Sequence, residues 1–233
     1  MQSKNPLFLD FKYISHAGGA IDNLVYSNSL EALENSVSLG YQFIEIDIQD
    51  SLDEKFVLIH DWQETSKKLL GQTGKISAQE FLSKKIHKKY QALDLDSALN
   101  WLKNHPELYF ILDIKAEKPE EIAKYIKNNH PDIMKQIIPQ IYLPKEYDFW
   151  AQDYQNIIFA LYKTKLSQDK ILDFIKKNKI LAISISQDRI SSFFAKELKS
   201  LGVKIFVFTV NEQDQLTRLK KFNIDAVFTD YLI

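Results

Sequence analysis

Residues Tyr41–Trp62 read YQFIEIDIQDSLDEKFVLIHDW. Ile44, Ile46 and Ile48 alternate with Glu45, Asp47 and Gln49, which is the period of a β-strand. Side chains two apart on a strand share a face, so Glu45 and Asp47 lie side by side. Adjacent carboxylates repel unless a proton or a cation sits between them. A second apolar run, Phe56 to Ile59, ends in His60-Asp61. Only the seven residues Gln49 to Lys55 separate the two runs. A crossover helix needs about a dozen. The chain must therefore fold back as a hairpin, turning near Asp53-Glu54, and the return strand carries His60 back to the level of Asp47. Taken singly, the first run is a strand with one wet face and His60-Asp61 is a turn. Their convergence points to a site.

At 233 residues the chain has the length of one α/β barrel domain, residues 1–233. Hydrophobic residues make up 45%, enough for a full core, which argues against disorder. Thirty basic and 31 acidic residues leave a net charge of -1, so no nucleic-acid partner is expected. There is no cysteine, hence neither a disulfide framework nor a thiolate metal site. The opening MQSKNPLFLDFKY has no apolar core of a signal peptide, and no run is long enough for a transmembrane helix. The expectation is a cytoplasmic protein, or a periplasmic or secreted one had a signal been removed. Its oligomeric state is not legible.

Taken in order, a first strand from Phe11 to Ser15 ends at His16-Ala17-Gly18-Gly19, where paired glycines can turn N–H groups toward an anion. A helix follows, with Asn28 and Glu31 as a capping box, Leu30, Leu33 and Val37 as its apolar stripe, and Gly40 as its stop. Residues 63–93 are irregular, with one short helix opened by Ser77 and Glu80. A helix over 96–103 leads into strands at 110–115, 137–142, 157–162, 181–186, 204–210 and 226–230. Between these run helices at 119–128, 145–152, 167–177, 189–200 and 212–221, the last capped by Asn211. Setting the hairpin return strand aside leaves eight strands alternating with helices: a (β/α)8 TIM barrel with a small β-hairpin after strand 2. A doubly wound open sheet is the alternative, but no GxGxxG turn follows the first strand.

Barrel enzymes carry their sites at the C-terminal ends of strands, and the polar residues above fall there. FILDIK (110–115) adds Asp113 and Lys115 on one face, read either as an intrastrand ion pair or as part of the site. Glu45, Asp47 and Asp113 together suit a hard divalent cation, Mg²⁺ or Ca²⁺, whereas zinc favours histidine or thiolate. His16 and His60 would act as a general acid and base, and Lys115 would offset anionic charge. Gly18, Gly19, Gln140 and Asn211 are the expected substrate contacts. His87, His105 and His130 are read as surface residues.

The order His16-Ala-Gly, Asn28, Glu45-Ile-Asp47, His60-Asp61 and Asp113-Ile-Lys115, with 208–211 and 225–230 near the end, resembles the glycerophosphodiester phosphodiesterase family. That family is related to the phosphatidylinositol-phospholipase-C-like barrels. The resemblance covers nearly the whole chain. It implies a divalent metal on Glu45, Asp47 and Asp113, catalytic His16 and His60, and a small-molecule phosphodiester substrate. Three departures stand out. Ala17 takes the place of the usual phosphate-holding arginine. Tyr26-Ser27-Asn28-Ser29 replaces the usual Pro-Glu-Asn-Thr. Asp113 replaces a glutamate, and an aspartate with lysine two residues on also resembles the spider-type sphingomyelinase D barrels. The implied reaction is metal-dependent hydrolysis of a glycerophosphodiester to glycerol phosphate and an alcohol. The alternatives are a phospholipase D- or C-like enzyme acting on a phospholipid or lysophospholipid headgroup, aided by Lys84, Lys85, Lys88 and Lys89, and a barrel that binds a phosphoryl ligand without catalysis.

Overall fold

The computed structural model describes residues 6–8, 10–162 and 164–233. The stretch read above for a signal, residues 1–13, therefore lies partly outside the described residues, as does Lys163. The strands are β1 (Lys12–Ser15), β2 (Phe43–Asp50), β3 (Phe56–Leu58), β4 (Lys85–Ile86), β5 (Tyr90–Gln91), β6 (Tyr109–Ile114), β7 (Ile137–Ile141), β8 (Ile158–Ala160), β9 (Ala182–Ser186), β10 (Lys204–Phe208) and β11 (Ala226–Thr229). The helices are α1 (Leu30–Ser38), α2 (Glu64–Leu70), α3 (Ala78–Ser83), α4 (Leu95–Lys103), α5 (Pro119–Asn129), α6 (Tyr147–Ala151), α7 (Gln168–Lys177), α8 (Ser192–Ser200) and α9 (Gln213–Lys220). Sheet order runs β1-β11-β10-β9-β8-β7-β6-β2-β3, and β1 also pairs with β2. That last pairing closes eight parallel strands into a (β/α)8 barrel, with β3 outside the ring.

The chain packs as two compact units. One is Ser15–Ile138, and the other joins the N-terminal segment through Ile14 to Pro139–Leu232.

In the first unit β2 is buried from Phe43 to Ile48, as a strand covered on both faces must be. β3 returns antiparallel against it, with Ile48 opposite Leu58 and Asp50 opposite Phe56. The turn falls where the seven-residue gap requires it: Ser51 N donates to Lys55 O, and Glu54 adopts a left-handed φ of 55°. What holds the return strand is a separate apolar cluster. Val57 and Ile59 pack with Leu24, Trp62, Leu69, Phe81, Ile86 and Tyr90, all buried. This cluster gives order to residues 63–93, which the sequence leaves irregular. It includes α2, a helix not foreseen because its start has no capping side chain of its own at Gln63.

The second unit carries β8 to β11 in parallel register, Phe206 opposite both Ser184 and Ala226. Asp225 fixes the entry to β11: its carboxylate accepts from Ile205 N at 2.8 Å and from Lys199 Nζ at 2.5 Å.

Three helix starts differ from the sequence expectation. α1 is capped by Ser29, whose hydroxyl accepts from Ala32 N, because Asn28 turns its amide elsewhere. α8 opens at Ser192 behind a Ser191 cap, leaving Arg189 outside the helix. α9 opens at Gln213, and the amide of Asn211 goes to Asp230 instead of capping.

The turn after β1 requires glycine for a reason of space. Gly19 has φ 101°, and a Cβ there would lie 2.1 Å from Ser36 Oγ and 2.7 Å from Ser15 Oγ, two hydroxyls bonded to each other. Gly19→Ala is expected to lower stability by about 1–3 kcal/mol in a urea melt, from forced repacking of a filled site. Gly40→Ala, whose Cβ meets nothing within 4 Å, should lose less.

Candidate active site

Glu45, Asp47, Asp113 and Lys115 converge. In the parallel pairing of β2 with β6, Asp47 stands opposite Asp113, and Glu45 lies two residues back on the same face of β2. One carboxylate oxygen from each of Glu45, Asp47 and Asp113 lies within 4.8 Å of the others. Glu45 and Asp47 are 2% and 1% exposed, so this is charge gathered out of water.

Backbone and amide donors hold the first two in place. Ala17 N donates to Glu45 Oε2 at 2.7 Å, which the left-handed φ of 51° at Ala17 permits. Asn28 grips Asp47 twice: its Nδ2 donates to Asp47 Oδ2 and its Oδ1 accepts from Asp47 N, both at 3.0 Å. Asn28 is fully buried at φ 47°, a conformation asparagine tolerates better than most residues. Glu45 Oε1 is buried and has no hydrogen-bond partner.

Lys115 supplies the positive charge from within. Its Nζ donates to Asp113 Oδ2 at 2.5 Å and lies 2.9 Å from Asp47 Oδ1, so the intrastrand ion pair is present and reaches across to β2. The electrostatics follow. Burial, then the neighbouring charge of Asp47, pushes the Glu45 carboxyl well above the usual carboxylate range. Burial would raise Asp47 as well, but Lys115, His60 and His16 outweigh it and hold that group low.

His60 follows β3, and its backbone carbonyl accepts from Gln49 Nε2 at 3.3 Å. Its Nδ1 is 2.8 Å from Asp61 Oδ2. Asp61, read from sequence as a turn residue, is the anchor for this ring. Its carboxylate also accepts from Thr65 Oγ1 at 2.6 Å and from the N–H groups of Gln63 and Thr65 at the start of α2. Burial acts to raise the Asp61 carboxyl, but the hydrogen bonds from Thr65, His60 and Gln63 hold it far below the usual range. His16 ends β1. Tyr26, a residue sequence reading noted only as a departure from a motif, packs against both histidines. Its ring centroid is 4.8 Å from that of His16 and 5.0 Å from that of His60, edge to face with each.

The expected substrate contacts are less uniform. Gly19 N donates to His16 O at 2.9 Å, so this N–H is turned inward and not toward an anion. Gly18, at φ 81°, packs where a Cβ would meet Asn28 Cα at 3.1 Å. In the second unit, Gln140 Oε1 accepts from Ser184 Oγ at 3.1 Å and Asn211 Oδ1 from Asp230 N at 2.8 Å. Of the histidines read as surface residues, His130 is 5% exposed and bonded through Nε2 to Asp96, a correction that follows from α5 ending against α4.

Carboxylates and histidines gathered at strand ends of a (β/α)8 barrel suit an enzyme that hydrolyses phosphate esters. Residues 16–233 match the family described as Glycerophosphoryl diester phosphodiesterase family, and the chain belongs to that family. It is thus a phosphoric diester hydrolase.

A glycerophosphodiester phosphodiesterase of Caldanaerobacter subterraneus subsp. tengcongensis is 23% identical over 244 residues, 93% of each chain. A 60-residue stretch, 26% of this chain and 18% of the other, is 40% identical to the human protein named Lysophospholipase D GDPD1. Among solved structures, an Oleispira antarctica phosphodiesterase in complex with the product sn-glycerol-3-phosphate superposes with a TM-score of 0.74 at 17% identity, covering 94% and 93% of the two chains. A glycerophosphodiester phosphodiesterase from Thermotoga maritima gives 0.73 at 19%, covering 94% of each. At these identities the likeness is one of fold.

Two predictions follow from the charges. Lys115 is 12% exposed and neutralises two carboxylates, so Lys115→Met should destabilise the metal-free protein by about 3–5 kcal/mol, the cost of orphaning buried charge. Thermal melts with and without Mg²⁺ or Ca²⁺ would show the cation restoring part of the loss. Asp61 has a depressed folded pKa, so its share of stability is full above its unfolded value near about 4 and lost as pH falls below that. Asp61→Asn should therefore flatten the acid limb of the stability–pH curve.

Proposed function

We propose that the protein hydrolyses a glycerophosphodiester to glycerol phosphate and an alcohol, with a divalent cation on Glu45, Asp47 and Asp113 and with His16 and His60 moving protons. The observation that carries this reading is Glu45 Oε1, buried without a partner among three converging carboxylates. A cation is what such an atom lacks. The donor set is all oxygen, which suits Mg²⁺ or Ca²⁺. One oxygen from each of the three carboxylates lies within 4.8 Å of the others, close enough for a single cation to draw on all three. Once bound, the cation would polarise the phosphoryl group and offset the charge of its oxygens.

The remaining steps belong to the chain's own groups. With Nδ1–H donated to the ionised Asp61, His60 presents a basic Nε2, suited to take a proton from the attacking water. Asp61 also stabilises the imidazolium that results. His16, which also packs against the Tyr26 ring, starts protonated and returns its proton to the departing alkoxide. Bond formation at phosphorus by water and cleavage of the P–O bond to the alcohol thus give glycerol phosphate and the alcohol, and one proton transfer through solvent from His60 to His16 restores the starting state of the pair. Lys115, together with the cation, offsets phosphate charge; as a point charge it lacks the fork of the arginine absent at Ala17. Gly18, Gln140 and Asn211 remain proposed substrate contacts, whereas the Gly19 N–H is taken up by His16 O within its own turn. A lysophospholipid is a second substrate class, supported by the 60-residue match to the human lysophospholipase D.

The test is release of glycerol phosphate or free alcohol from a panel of glycerophosphodiesters and lysophospholipids, with Mg²⁺, Ca²⁺ or chelator. Activity is expected with a cation and lost with chelator. His16→Ala and His60→Ala should each reduce kcat by about 10²- to 10⁴-fold, the usual share of acid–base catalysis, while cation affinity by calorimetry stays unchanged. Near wild-type turnover in either variant would rule out that acid–base pair, and no turnover by the wild type with either cation would favour the non-catalytic binder.

A further inference from the structure

Tyr26 occupies a position no acid–base scheme requires an aromatic ring to fill. Its ring makes an edge-to-face contact with His16 at 78° and with His60 at 79°, and both centroid distances fall within the range of attractive aromatic pairs. His16 follows β1 and His60 follows the hairpin return strand, so the two imidazoles come from different strands. The Tyr26 ring touches both. Its own backbone is held in a left-handed conformation, φ 64°, unusual for a bulky residue and characteristic of segments whose surroundings over-determine them. Two residues on, Asn28 is clamped to Asp47, and Asn28 N donates to Ala17 O at 3.1 Å. The loop that carries Tyr26 is therefore fixed at its end by the same carboxylate that the proposed cation would use.

We propose that Tyr26 is a positioning residue: its ring is the spacer that sets the separation and orientation of the His16 and His60 imidazoles for proton transfer. The role rests on the acid–base reading of those histidines given above. It is assigned to the ring, through the two ring-to-ring contacts. Asp61 already holds one nitrogen of His60, and the Tyr26 ring adds a packing constraint shared by both imidazoles. Losing the ring loosens that shared constraint, and small misplacements of catalytic groups are costly in rate.

The variants exploit the left-handed backbone. Asparagine and glycine adopt φ near 64° more readily than tyrosine, so Tyr26→Asn and Tyr26→Gly remove the ring without straining the loop. Each is expected to lower kcat by about 10- to 100-fold with KM changed less than about threefold. Tyr26→Phe keeps the ring and should restore kcat to within about threefold of wild type. Independently of turnover, the ring protons of His16 and His60, assigned in NMR spectra with the two His→Ala variants, should shift in Tyr26→Asn and hold their positions in Tyr26→Phe. Wild-type kcat in a folded Tyr26→Asn, or a loss in Tyr26→Phe as large as in Tyr26→Asn, would overturn the proposal, as would histidine resonances unmoved by removal of the ring. If the wild-type protein cleaves no diester with either cation, the acid–base reading fails, and the NMR comparison alone still decides whether Tyr26 orders the two imidazoles.

Discussion

Asp47 and Asp113 stand opposite each other on neighbouring parallel strands, with Glu45 two residues away on the same buried face. Three carboxylates cannot share that space in charged form without positive charge among them. Lys115 meets part of the need, through Asp47 and Asp113. Glu45 is left with its carboxyl pushed toward the protonated form and one oxygen without a partner. A protein that buries this arrangement destabilises itself unless something is gained when a cation arrives. The geometry is thus more informative about function than any one of its residues.

The surrounding elements exist largely to hold that charge still. The glycine turn after β1 brings Ala17 N onto Glu45, and the same turn lets Asn28 close over Gly18. Asn28 then fixes Asp47 from two sides. On the other flank the apolar cluster around Val57, Ile59, Trp62 and Phe81 pins the return strand, and with it His60. Asp61 ties His60 to the start of α2, using a carboxylate that the helix's first N–H groups already bind. Packing energy from a satellite core is in this way transmitted to the orientation of one imidazole.

Much of this could be read in the sequence because it depends on local periodicity. Alternation over Glu45–Asp47 and Asp113–Lys115 placed each pair on one face, and a gap too short for a helix forced the hairpin. The residues that were misread act across distance. Asn28 looks like a helix cap by its neighbours, and only the loop's return to β2 shows that its amide goes to Asp47 while Ser29 caps α1. Gly19 looks like half of an anion cradle, yet Ser15 and Ser36 fill the space beside it. Asp61 and Tyr26 carry no local pattern at all; their partners are set by how β1, the hairpin and α2 meet. Helix α2 escaped notice because its cap comes from Asp61, two residues before the usual position.

The central claim is that the buried carboxylates form a cation site. Calorimetric titration of Mg²⁺ and Ca²⁺ into wild type and Glu45→Gln tests it directly. One cation per chain is expected in wild type, with an affinity lower by at least about tenfold in Glu45→Gln, since the substitution removes a charged oxygen from the ligand set. Equal affinity in the two proteins, or no binding by a folded wild type, would contradict it.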